Sequence, residues 1–293
     1  MLKRILLAIV LSIASCGVYA YDFSAVAPTG QTLYYQTMSG FKAKVTYPYT
    51  SSNNWGGYTK PSGDLTVPDS VTYSGHTYMV TSIDNYAFYG CDNLTSITIP
   101  ATITSIGNNA FSGCSGLTTV YFNATNCTSA GTGSYIFYNC PNLSTVFFSN
   151  DVTTIPGFLF SGCSSISSVN IPDSVTYIGH QAFNNCSGLT SLTIGNSVTS
   201  IAYRAFYGCS SLTSITIPQS ITYLGDETFG NCTGLTTVYY NADSCSNAGS
   251  YNSNNHLFYS SFSGCSNITS FIIGNNVSII PSYLCFGLSR LTS

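Results

Sequence analysis

The chain has 293 residues, of which only 6% are charged (seven Lys+Arg, ten Asp+Glu), against roughly 25% in ordinary soluble proteins, while 44% are hydrophobic, with 23 Tyr and 17 Phe. Disorder is excluded, because it needs low hydrophobicity and high charge. Nucleic acid is a poor partner, because a net charge of −3 and five basic side chains after residue 20 supply no basic face for phosphate.

The chain opens with Met1-Leu2-Lys3-Arg4, a short positive start, followed by an apolar run from Ile5 to Ile13. That run is too short for a bilayer of roughly 30 Å. Val18-Tyr19-Ala20 places small residues at −3 and −1 of a cleavage after Ala20. Residues 1–20 are therefore predicted to be a secretory signal peptide of bacterial style. Ile13-Ala14-Ser15-Cys16 offers an alternative, since it resembles a lipobox in which Cys16 is lipidated and becomes the mature N-terminus. No later segment reaches 18 apolar residues, so no transmembrane helix is expected.

Residues 21–64 show no repeat. Thr32 to Met38 and Phe41 to Tyr47 alternate about Ser39-Gly40, which predicts a β-hairpin. It is read as an N-terminal β cap, because a repeat array must cover its first apolar end and strand edges.

From residue 65 to residue 293 the chain repeats. Aligned on Cys91, Cys114, Cys140, Cys163, Cys186, Cys209, Cys232, Cys265 and Leu288, six of the eight steps are 23 residues and the others 26 and 33. The residue before each is Gly or Asn, and three before each stands Phe, from Phe88 to Phe262, until Cys285 replaces it. Gly and Asn tolerate the left-handed conformation that ends a helix, so Asn108 to Ser112 is predicted to be one helical turn stopped by Gly113, with Phe111 inward. Leu212 to Ile217 alternates as a strand, with Leu212, Ile215 and Ile217 inward, and Pro218 ends it. Ile221 to Leu224 is a second extended piece. Such a unit cannot bury its apolar face alone and must stack on its neighbours. Between Val71 and Val80 a small hairpin about Ser74-Gly75 interrupts the first unit.

The pattern Cys-x-x-Leu-x-x-Ile-x-Ile-Pro-x-x-Val-x-x-Ile-Gly-x-x-Ala-Phe-x-Gly resembles the BspA-type (Treponema pallidum-type) leucine-rich repeat over roughly residues 65–293. The resemblance implies an α/β fold: a right-handed leucine-rich-repeat solenoid with a parallel concave sheet and short helical turns. It further implies a secreted or cell-surface protein of host-associated bacteria, with binding or adhesion as its role. Periodicity alone supports the solenoid; the adhesion role comes only from the family.

Two long steps carry insertions, near 123–137 and 241–260. Asn123 to Gly131 and Asn241 to Gly249 resemble each other and are read as replacing the second extended piece, each after an aromatic strand (Val120-Tyr121-Phe122, Val238-Tyr239-Tyr240). Leu291-Thr292-Ser293 stops within the next strand pattern, which is read as a chain continuing past Ser293, the alternative being an open end that meets a partner.

Candidate sites are few. After cleavage eleven Cys remain, an odd number, and their single column predicts a ladder of small buried thiols rather than disulfides. No clustered Cys/His spacing suits a metal, and no cofactor is expected. In the repeat frame His180, Tyr203 and Asp226 share one column and Gln181, Arg204 and Glu227 the next. The first is read as variable outward positions rather than a catalytic cluster, since Asn85 and Asn108 occupy it elsewhere; the second predicts an Arg204–Glu227 surface ion pair. Neither facing carboxylates for a glycosidase nor a Gly-x-Ser-x-Gly elbow is present. The Asn-x-Ser/Thr triplets, such as Asn93-Leu94-Thr95, follow from composition and are read as unglycosylated.

The remaining candidate is the outward face of the sheet. One column runs Thr98, Tyr121, Phe147, Asn170, Thr193, Thr216, Tyr239, Ile272, and the next is all hydroxyl, from Ser96 to Ser270. Clustered exposed aromatics mark binding sites, so Tyr121, Phe147, Tyr239 and Ile272 are candidate ligand contacts, unless the inserted loops fold over them. The expected function is non-catalytic binding or adhesion to a host or bacterial surface protein or glycan. The alternative is a structural spacer carrying a further C-terminal region. A surface degradative enzyme finds only the isolated Asp226-Glu227 pair.

Overall fold

The computed structural model describes residues 21–48, 55–131, 136–252 and 257–293. Residues 1–20, expected to be a signal peptide, lie outside them, and Cys16 with them. Each repeat makes one coil with three sides. The Leu-x-x-Ile-x-Ile run forms the first side, and its strands pair in parallel with those of the neighbouring coils. Leu94–Ile99, Thr119–Phe122 and Thr145–Phe148 are consecutive members of one sheet, with Ile97 opposite Val120 and Val120 opposite Val146. Ser168–Asn170 pairs with Ser191–Thr193, and Ser214–Ile217, Thr237–Tyr240 and Ser270–Ile273 form a further group. The alternation works as expected: Leu212, Ile215 and Ile217 are buried while Ser214 and Thr216 face out. Two-residue strands form the second side, where Thr154–Ile155, Tyr177–Ile178, Ser200–Ile201 and Tyr223–Leu224 pair in parallel. Threonine hydroxyls add to the stacking, since those of Thr118, Thr190, Thr199, Thr222 and Thr236 each donate to the carbonyl 23 residues earlier at 3.0–3.2 Å.

The third side corrects one expectation. No described residue is helical, so among the described residues the expected helical turns, and with them the α part of the expected α/β class, are not found. The hydrogen bonds give the reason. In the coil ending at Cys186, the N–H groups of Gln181, Phe183 and Asn185 donate to the carbonyls of Tyr203, Ala205 and Tyr207 in the next coil, at 3.0, 2.8 and 2.7 Å. Those of Ala182, Asn184 and Cys186 bond three residues back within the turn, at 3.2–3.3 Å. A helix would keep every N–H for itself. Here every second one is given to the neighbour, and two left-handed residues per turn make this possible, Gln181 (φ 54°) and Asn185 (φ 56°).

The core lies between the three sides. Phe88, Phe111, Phe137, Phe160, Phe183, Phe206, Phe229 and Phe262 form one buried stack, with successive centroids 4.9–5.5 Å apart and rings within 22° of parallel. Coils approach closely enough that some positions admit no side chain: a Cβ on Gly179 would press on the backbone of Gly157.

At the N-terminal end Thr32–Met38 and Lys42–Thr46 make the hairpin about Ser39-Gly40, and Phe23–Val26 pairs antiparallel to the first of them. Lys42–Thr46 then runs parallel to His76–Ile83, so the hairpin continues the second side, over a buried aromatic group of Phe23, Tyr34, Tyr35 and Trp55. Ser70–Tyr73 and His76–Ile83 form the small hairpin about Ser74-Gly75.

The insertions also differ from expectation. The second extended piece is not replaced: Ser129–Ala130 pairs with Ser105–Ile106, and Asn247 bridges to Tyr223. The register places Cys127 and Cys245 at the inward positions of Ile103 and Ile221, where both are buried. The larger Phe122 and Tyr240 replace Ile99 and Ile217 in the same coils, which conserves core volume. The extra residues come later. In the second insertion they form an antiparallel hairpin, Gly249–Asn252 with Leu257–Ser260; in the first they include residues 132–135, outside the described set.

Candidate binding face

Strand alternation aims every second side chain of the first side at solvent, and parallel register sets like positions in line. Phe147 is thus the ladder partner of Tyr121, and Tyr239 lies between Thr216 and Ile272. The Tyr121 and Phe147 rings stack face to face, 5.2 Å between centroids and 14° from parallel, and remain 40% and 51% exposed. Tyr239 and Ile272 are exposed to a similar degree, 43% and 45%. The described residues of the insertions do not cover either pair, because most of the added length follows the second side of the coil. Sequence thus placed the four candidates on one face, and the structure brings them together as two neighbouring pairs. The adjoining column is hydroxyl from Ser96 to Ser270, with Ser96 opposite Thr119 and Thr237 opposite Ser270, and Asp64 holds the place before Ser96 and accepts its hydroxyl.

A second feature went unread in the sequence. Where the strands end, a recess of about 480 Å³ opens beside Thr216. Its polar wall is Asn196, Gln219, Asn241, Asn275 and Asn276, and its apolar floor includes Leu192 and Pro218. The signal was the set of amides just past the strand ends of these coils, Asn196, Gln219, Asn241, Asn275 and Asn276.

The turn side carries the titratable columns. No side-chain hydrogen bond joins His180, Tyr203 and Asp226; the His180 ring instead lies edge-on to Phe158, 4.6 Å between centroids. Arg204 meets Glu227 at 2.7 Å through Nη2 and 2.8 Å through Nε, and its guanidinium lies over the rings of Tyr203 and Tyr207. Ser250 Oγ donates to Asp226, which ties the inserted hairpin to this side. Because the pair is partly exposed, a double-mutant cycle of Arg204→Ala and Glu227→Gln yields a coupling of about 1 kcal/mol or less, read from urea unfolding. A coupling above about 2 kcal/mol would contradict that reading.

The thiols form a ladder of donors. Sγ of Cys114, Cys186, Cys209, Cys232 and Cys265 each donates to the carbonyl of the Phe in the preceding coil, at 2.9–3.4 Å. Each such carbonyl also accepts the N–H of the Cys in its own turn, for example Cys209 to Phe206 at 3.3 Å. All eleven described Cys are free thiols, and all but Cys285 are buried. Among the described residues no cluster of three or more His, Cys, Asp or Glu is placed to hold a metal ion, and no helix is long and apolar enough to cross a membrane.

No curated protein matches the chain. Among solved structures it is similar to a leucine rich cell surface protein from Faecalibacterium prausnitzii, at 23% identity and a TM-score of 0.55 over 89% of this chain and 73% of that one. It is also similar to the T. pallidum Leucine Rich Repeat protein, at 23% identity and a TM-score of 0.51 over 73% of this chain and 88% of that one. Both likenesses show the leucine-rich-repeat fold. The BspA type Leucine rich repeat region matches residues 81–187, 130–252 and 240–293, in six copies. Since those spans run unbroken from residue 81 to residue 293 and coincide with the stacked coils, the chain belongs to the BspA type leucine-rich-repeat family.

Proposed function

We propose that the chain is a non-catalytic binding protein, exported by a bacterium and presented outside the cell, which holds a surface protein or glycan against the first side of its solenoid. The observation that carries this reading is the stacked, exposed Tyr121–Phe147 pair on a regular, mostly hydroxyl face. Large rings left in water cost solubility and supply contact area at small entropic cost, which is why such residues dominate binding hot spots. On the same reading the coil is right-handed, the hand parallel crossovers nearly always adopt, with the aromatic column on its concave side. The sequence of residues 1–20 supports export, and mass spectrometry of the mature N-terminus distinguishes cleavage before Tyr21 from a lipidated Cys16.

The test is a screen of the secreted chain against host matrix proteins and glycans. The double variant Tyr121→Ala, Phe147→Ala weakens a bound ligand about tenfold or more, while the melting temperature moves by no more than about 2 °C. Unchanged affinity removes these two residues from the site.

A further inference from the structure

We propose that the recess at the strand ends of the later coils binds an uncharged glycan chain. The proposal rests on reading the first side as a binding surface and names the ligand class for part of it. None of the residues lining the recess is charged. Gln219 is committed, since its Nε2 donates to Asp243 at 2.9 Å. The side chains of Asn196, Asn241, Asn275 and Asn276 make no hydrogen bond among the described residues, and all four are exposed. A Cβ on Gly274 would lie 2.5 Å from the Asn241 amide oxygen, so a larger residue there would turn that amide away from its present position.

Four free amides around one recess demand a ligand rich in both donors and acceptors. Each carries two donors and one carbonyl acceptor, which suits adjacent hydroxyls that donate and accept in turn. An anionic ligand finds no counter-charge in the wall and meets the carboxylates of Asp173 and Asp243 at its edge, and a cationic one finds those carboxylates already taken by Asn196 N–H, Gln219 and Ser244. A peptide would leave the apolar floor and the nearby aromatic without a regular partner. A sugar ring has an apolar face as well as hydroxyl edges. The floor supplies Leu192 and Pro218, and Thr216 of the lining is the ladder partner of the exposed Tyr239, whose ring can take the next sugar. Coils repeat at roughly 4.8 Å, so successive amides lie along the solenoid as successive units lie along a polymer. The volume, about 480 Å³, falls in the range of small-ligand sites.

The experiment titrates the secreted chain calorimetrically with hexasaccharides of β-1,4-glucan, β-1,3-glucan and α-mannan, and with a heparin hexasaccharide as the charged control. At least one neutral oligosaccharide binds. Asn241→Ala with Asn276→Ala weakens it about tenfold or more, and so does Tyr239→Ala. Raising NaCl from about 0.15 to about 1 M leaves the affinity nearly unchanged, since no charge is involved. Binding confined to heparin, binding abolished by salt, or binding indifferent to the Asn substitutions overturns the proposal. If no neutral glycan binds while a matrix protein binds through Tyr121 and Phe147, the glycan site falls and the binding role stands. If no ligand of either kind is found, both fall.

Discussion

Phe206→Ala destabilises the protein by about 3–5 kcal/mol, the usual cost of emptying a buried phenylalanine site. Phe206 is fully buried and stacks on two rings, Phe183 at 5.3 Å and Phe229 at 5.4 Å. The neighbours cannot close the gap, because the backbones on both sides are already fixed: Phe206 N–H donates to Thr228 and Ala205 sits against Phe183 N–H, each at 2.8 Å. A repeat array is held by contacts between adjacent units, so a break in the middle divides it. The variant therefore also loses cooperativity, and its urea transition broadens or splits. Phe88→Ala, at the N-terminal end of the stack, loses one stacked neighbour instead of two and leaves the transition single. A loss below about 1 kcal/mol for Phe206→Ala would contradict the stack as the main support of the core.

The columns were legible because identical residues recur at a fixed interval and can only meet one way once the coils stack in register. The shape of the turn was not. Its first left-handed position is filled by Tyr86, Asn109, Phe158, Gln181, Arg204, Glu227 and Tyr283, and only Asn announces such a backbone. The conformation there is set by a hydrogen bond to the next coil, a long-range cause that a local reading of the turn as helix does not contain. The insertions were misplaced for a related reason. Cys127 and Cys245 read as loop residues, yet they fill inward positions opposite an enlarged Phe122 and Tyr240, so the compensation shows only once register is known. The exposed aromatic column followed from period-two alternation and could be read directly. The amide recess could not, since it joins residues from several coils across the second insertion.

Under reducing conditions stability falls steeply once the pH exceeds the ordinary thiol range. Burial pushes the Cys163 and Cys186 thiols well above it, with further help from the neighbouring thiol. Burial and a hydrogen bond with Cys209 do the same for Cys232. For Cys140 and Cys265 the hydrogen bond with the preceding thiol acts first and burial second. At Cys114 the bond with Cys140 pulls downward, but the bond with Cys91 and burial outweigh it. Below about pH 8.5 both the folded and the unfolded chain keep these protons, and the thiols add no pH dependence. Above it the unfolded chain releases protons that the folded one retains, so each thiol shifts the equilibrium toward unfolding by about tenfold per pH unit. These six thiols, and Cys285, which burial also raises, act together, enough to consume the 5–15 kcal/mol typical of a folded protein within a few pH units. Urea titrations between pH 8 and 11 with a phosphine reductant therefore show a slope that grows to several protons, to which the buried Tyr35 and Tyr240 add toward the upper end. Cys163→Ala and Cys186→Ala each lower that slope by one proton, at a cost of about 1 kcal/mol at neutral pH for the lost hydrogen bond. Stability that stays level through pH 10 would mean that the thiols reach water in the folded chain and that the coils are not closed around them.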